Sequence, residues 1–158
     1  MTFIVDGTAG LTYPNSTVQA SAGVVLQVVN ASYSTATTSS SSAYADTGLT
    51  ATITPKFSTS KVLVIINQNG LTKYASDTAL SLQLLKNGTL LSFVGNFAGT
   101  GSAAENDIGS ATISYLDSPA TTSATTYKTQ FRSISNTATV AVQFQSGVST
   151  ITLMEIAG

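Results

Sequence analysis

An all-β fold, antiparallel strands packed as a sandwich, is what this sequence predicts, and three observations predict it. The 158 residues include 22 Ser and 26 Thr, and Thr favours strands because its branched Cβ packs on a pleated surface. Charged residues make up 8% of the chain, against about a quarter in average globular proteins, so the long Lys and Glu side chains that favour helices are scarce. Apolar residues come in short runs, many alternating with polar ones, between clusters of turn residues. No segment shows a helical period with caps, and none repeats at solenoid or propeller length. The length suits one domain with a short appendage.

Residues 1–22 read as an extended N-terminal arm and 23–158 as the β domain. In the arm Phe3, Ile4, Val5, Leu11, Tyr13 and Val18 are too sparse to form a core, and Gly7 and Gly10 interrupt them. Such a segment can add a strand to an exposed sheet edge, with these side chains and Pro14 as contacts. A frayed terminus is the alternative.

The domain then unfolds as about nine strands. "VVLQVVN" (24–30) reads as a buried strand, and the serine-rich 31–48, bracketed by Tyr33 and Tyr44, as a long surface loop or irregular edge strand. "LTATIT" (49–54) alternates Leu49, Ala51 and Ile53 with Thr, a half-buried strand that Pro55 stops. "KVLVIINQN" (61–69) is apolar on both faces, with Val62, Val64 and Ile66 opposite Leu63 and Ile65, as in a central strand covered on both sides. "ALSLQLLKNGTLLSFVGN" (79–96) is a hairpin: Leu80, Leu82 and Leu84 point inward, opposed by Leu91 and Phe93 or their neighbours. Asn87-Gly88 supplies the two positive-φ residues of a type I′ turn. Residues 108–116, 125–133, 138–144 and 148–156 complete the set, the regular spacing expected of a sandwich or barrel.

Chemistry is harder to place. The chain has no His and no Cys. That removes the commonest general base and metal ligands and any Ser-His-Asp triad, so the sequence points away from catalysis and from cofactors. The Ser58–Lys61 spacing and the Gly99–Ala104 "GTGSAA" match are chance resemblances to catalytic and dinucleotide motifs, lacking their structural context. Glu105 and Asp107, two apart in a loop, could approach a hard cation, though an ordinary polar loop tip explains them better. Glu155 interrupts the last apolar strand, and an outward-facing or salt-bridged side chain near Lys128 or Arg132 is the expectation. The six basic residues, Lys56, Lys61, Lys73, Lys86, Lys128 and Arg132, are scattered, which argues against nucleic acid. No apolar run reaches membrane-spanning length, and no secretory leader is legible. With a net charge of −1, copies repel one another weakly, which suits a protein that packs against itself or a larger body.

One further observation concerns the stretch "DGTAGLTYPNSTVQASAG". It resembles the G-x-x-x-P-D-G-T-x-Q-x-x-A-G segment near the N-terminus of tail-fibre and other virion proteins of tailed bacteriophages, at Gly10, Pro14, Ser16, Thr17, Gln19, Ala22 and Gly23. Asn15-Ser16 stands where that segment usually has Asp-Gly. "YLDSPATTSATTYKTQFRS" (115–133) and "STITLMEIAG" (149–158) resemble small structural proteins of phages of marine and freshwater bacteria. The resemblance implies a homotrimeric jelly roll similar to the tumour-necrosis-factor-like fold, located in the virion after assembly in the host cytoplasm. Its implied partners are itself and a major capsid protein or tail component. Two roles follow. One is a capsid cement or decoration protein, which the short chain favours. The other is a tail-fibre tip or receptor-binding module, in which Tyr44, Phe97, Glu105 and Asp107 on the exposed loops would meet a host receptor.

Overall fold

Alternation at a period of two residues means that each strand offers one side chain in two to a core, so two sheets must face each other. The computed structural model describes residues 4–6, 10–12, 18–19, 23–98, 106–135 and 138–158. Within the N-terminal segment, β1 (Ile4–Asp6), β2 (Gly10–Thr12) and β3 (Val18–Gln19) pair with one another in the order β1-β2-β3.

From residue 23 onward ten strands form two antiparallel sheets packed as a β-sandwich, with no α-helix among the described residues. The first sheet contains β4 (Val25–Tyr33), β13 (Ser149–Ile156), β7 (Lys61–Lys73) and β10 (Asn106–Asp117) side by side. It is extended by β12 (Val140–Val142) and β5 (Thr37–Ser39), which continue from the far end of β7. The second sheet has the order β6 (Ala45–Ile53), β11 (Thr125–Ser133), β8 (Leu80–Lys86), β9 (Thr89–Phe97). Nine of these ten strands answer to the nine strand candidates. The tenth, β5, is the edge strand of the serine-rich stretch.

The core lies between the sheets. Leu49, Ile53, Leu80, Leu82, Leu84, Tyr127 and Phe131 of the four-stranded sheet meet Val62, Val64, Ile66, Ile151 and Leu153 of the other. The Leu80, Leu82 and Leu84 face is therefore inward as expected, and Asn87 (φ 49°) with Gly88 (φ 82°) makes the hairpin turn. The partner strand differs in detail. Two bulges, at Leu82–Gln83 and Leu84–Leu85, shift the register, so Leu91, Val94 and Phe97 reach the core while Phe93 stays 55% exposed.

Three expectations are corrected. Residues 24–30 form no buried strand: β4 is a sheet edge, and Val24, Val25 and Val28 are exposed. β7 is central in its sheet but covered on one face only, for Leu63 is half-buried and Ile65 exposed. Glu155 is fully buried, and Lys128 pairs with Asp46 instead. The Glu155 carboxylate accepts hydrogen bonds from the Gln27 side chain at 2.5 Å and from the backbone N–H of Lys56 at 2.7 Å. It thereby ties β4, β13 and the 55–60 turn together. Burial pushes its pKa up, but these bonds outweigh burial and hold it below the usual carboxylate range.

At the opposite edge of the core, Asp117 accepts from Lys86 at 2.9 Å and from the buried Tyr127 hydroxyl at 2.7 Å. Burial and this neighbouring carboxylate both push the Tyr127 hydroxyl far above its ordinary pKa. A second polar chain crosses between the sheets: Thr47 and Thr129 hydroxyls lie 2.6 Å apart, Thr129 donates to Gln68, and Gln68 donates to Ser149. These buried polar groups thus have partners, as burial requires.

Candidate assembly surface

The outward positions of β4, β13, β7 and β10 line up in rows fixed by register. Val28 lies opposite Met154, Met154 opposite Leu63, and Leu63 opposite Leu116. With adjacent strands about 4.8 Å apart, this row of four apolar side chains runs roughly 14 Å across the sheet. Below it Ile156 lies between Val25 and Lys61. Above it Asn30, Thr152, Ile65 and Ser114 form the next row, with Asn30 Nδ2 donating to Thr152 Oγ1 at 2.8 Å. A fourth row is Ser32, Thr150, Asn67 and Thr112. These rows contain no carboxylate and a single cation, Lys61.

Val28 is 55% exposed, Leu116 51% and Ile65 37%. One such residue on a surface is ordinary, but several contiguous ones mark an interaction site. Nothing in this face can do chemistry; it can exclude water. The hydrophobic effect is non-directional, so a face of this kind fits any surface of matching shape, including its own copy.

The outer face of β6-β11-β8 is polar and internally bonded, while Leu90 and Phe93 are exposed on the edge strand β9. Asp46 accepts from Lys128 Nζ at 2.8 Å and from Gln130 Nε2 at 2.7 Å, and Gln130 in turn accepts from Gln83 at 2.9 Å. Burial raises the Asp46 pKa, but its bonds with Lys128 and Gln130 leave it lowered overall. Beside this chain β6 carries a bulge, for Thr50 pairs with Lys128 and Asp46 with Gln130. The four-residue step on β6 against two on β11 needs Gly48 at φ +88°, and a Cβ there would collide with the Tyr33 ring. Gly48 also lines a cavity of about 460 Å³ with Asp46, Thr50, Asn87 and Lys128.

The residues singled out from sequence are scattered. Ile4 and Val5 lie on β1, Leu11 on β2 and Val18 on β3, while Phe3, Tyr13, Pro14, Glu105 and the 99–104 motif lie outside the described residues. Tyr44 is half-buried; its hydroxyl lies 2.7 Å from Ser81 Oγ, and the Arg132 guanidinium sits 4.9 Å from its ring centre. Phe97 packs against the core from β9, beside Leu80 on the opposite face of β8 from Ser81. Asp107, exposed on β10, accepts from Thr72 Oγ1 at 2.9 Å. The structure thus places Tyr44 just before β6 of one sheet and Asp107 on β10 of the other. Among the described residues no three His, Cys, Asp or Glu side chains form a metal cluster.

The surface that sequence reading missed is the one built by Leu63, Ile65, Val28, Met154 and Leu116. Its signal was present in 61–66, apolar on both faces. No protein-family model matches this chain, and no curated protein does.

Proposed function

We propose that this chain is a non-enzymatic virion structural protein of a tailed bacteriophage, acting as a homotrimeric cement or decoration protein on the capsid. The observation that carries the assembly part of this reading is the open apolar face of β4-β13-β7-β10, on which β7 has the sequence of a strand covered on both sides. A second copy supplies the missing cover with no carboxylate to desolvate and a single cation, Lys61, at the end of the face. The strand order supports the jelly-roll part. Numbering the eight long strands in chain order, the sheets run 1-8-3-6 and 2-7-4-5, so the chain passes repeatedly between sheets, as two Greek keys require. The phage setting rests on the resemblance of residues 10–23, 115–133 and 149–158. Residues 1–22 are the attachment segment.

A second reading, a tail-fibre tip or receptor-binding module, draws on the cavity beside Gly48, which stands away from the apolar face. Electron microscopy separates the two. Particles lacking this protein are incubated with the purified chain or with a version lacking residues 2–22. The expected result is decoration of the head by the full chain and none by the truncated one. Binding at the tail tip supports the second reading, and absence of binding to any part of the particle contradicts both.

A further inference from the structure

We propose that the cavity beside Gly48 is a binding site for a neutral saccharide. Its volume of about 460 Å³ falls within the roughly 300–1,000 Å³ of small-molecule sites and admits about one or two sugar rings. It exists because of local backbone geometry. The β6 bulge at Gly48 opens the sheet surface, and the Asn87–Gly88 hairpin turn closes the far end by donating Asn87 N–H to the Thr126 carbonyl at 2.9 Å. Along the strands the order of polar groups is Asp46, then Lys128 beside Thr50, then Thr126 with Asn87.

The bonding capacity left over in these groups decides the ligand. Each Asp46 oxygen accepts one bond, from Lys128 or from Gln130, while a carboxylate offers about four acceptor sites in all. Lys128 spends one of its ammonium hydrogens on Asp46. Asn87 Oδ1 accepts from Thr126 N–H at 2.8 Å, so its orientation is fixed, and its Nδ2 hydrogens have no partner among the described residues. The cavity therefore presents acceptors at one end and donors at the middle and far end. Adjacent sugar hydroxyls, each both donor and acceptor, satisfy such a set together. Charge narrows the class further. The carboxylate and ammonium cancel, so a phosphate or sulfate meets Asp46 and a cation meets Lys128, whereas an uncharged ring meets neither penalty. This assignment does not depend on the apolar face being an interface, since the site lies on the other sheet.

The test uses the full chain, labelled with ¹⁵N, titrated by NMR with glucose, galactose, mannose and N-acetylglucosamine in turn, and with N-acetylneuraminic acid as the charged comparison. At least one neutral sugar is expected to move the Gly48, Gly88 and Asn87 side-chain amide signals saturably in the millimolar range, with a smaller effect from the acid. Asn87→Asp keeps the Oδ1 acceptor and the turn but removes the amide donor; Asp46→Ala removes the acceptors. Each is expected to weaken binding about tenfold or more. The proposal is overturned if no neutral sugar moves these signals, if N-acetylneuraminic acid binds more tightly than all of them, or if binding survives both substitutions unchanged.

Discussion

The two outer faces of the sandwich are built by the same alternation and carry opposite chemistry. On β4-β13-β7-β10 the outward residues at one end are Val28, Met154, Leu63 and Leu116, joined by Val25, Ile156 and Ile65. On β6-β11-β8 they are Thr50 and a hydrogen-bonded chain of Lys128, Asp46, Gln130 and Gln83. Covering the polar face with an apolar surface would strip water from the Asp46 carboxylate and the Lys128 ammonium, so it gains little from being buried. The row of Val28, Met154, Leu63 and Leu116 has no polar side chain to satisfy and gains about 25 cal/mol for each square ångström removed from water. The difference teaches where an assembly can close: the face that loses least on desolvation is the one to bury, and the charged face is left to solvent and ligands.

Substitutions sharpen the contrast. The largest effect is expected where both faces have their common support. Leu82 is fully buried between the sheets, and Leu82→Ala should cost about 2–5 kcal/mol through lost burial and a residual cavity. Chemical denaturation followed by circular dichroism measures this. A loss below about half a kcal/mol, the range of surface substitutions, would mean that Leu82 lies outside the core.

Glu155 comes next, because its carboxylate anchors the base of the apolar sheet. Glu155→Gln should cost about 1–3 kcal/mol, since its one amide oxygen cannot replace both Oε1, which accepts from the Lys56 and Phe57 backbone, and Oε2, which accepts from Gln27 Nε2. The pH dependence has a definite sign. The folded pKa lies below the unfolded one, so the stabilisation is fully present above the unfolded value, about 4.3 for Glu, and is lost as pH falls through the folded value. Thermal unfolding midpoints of the parent should fall on acidification below about pH 4 more steeply than those of Glu155→Gln. Parallel pH curves would contradict this role.

Much of the fold was legible because strands announce themselves by period and turns by residue type. Asn87-Gly88 is a turn wherever it stands between two alternating runs, and Leu80, Leu82 and Leu84 can share only one face. What stayed hidden depends on partners distant in sequence. Val25 and Val28 look like core residues, and only their place on an edge strand beside β13 exposes them. The buried state of Glu155 comes from Gln27 and the 55–60 turn, about a hundred or more residues away along the chain. The register of β9 escaped because two bulges are backbone events with no residue signature of their own. As for the candidate surface, the apolar doubling in 61–66 was readable, yet it could not reveal that one of its covers is missing from the single chain. The Gly48 cavity was illegible, since it needs the bulge on β6, Lys128 from β11 and a turn from β8–β9 together.

The central claim is that the apolar face joins copies of this chain, and sedimentation equilibrium of Leu63→Asp tests it most directly. Leu63 sits in the middle of the apolar row with its side chain outward, so a carboxylate there should leave the monomer's core intact while burying an unpaired charge in the assembly. Thr50→Asp, on the exposed part of the polar face, is the matched control. The account predicts a mass of three chains for the parent and for Thr50→Asp, and one chain for Leu63→Asp with an unchanged circular dichroism spectrum. A parent that sediments as a monomer at micromolar concentration, or a Leu63→Asp variant that remains three chains, would contradict it.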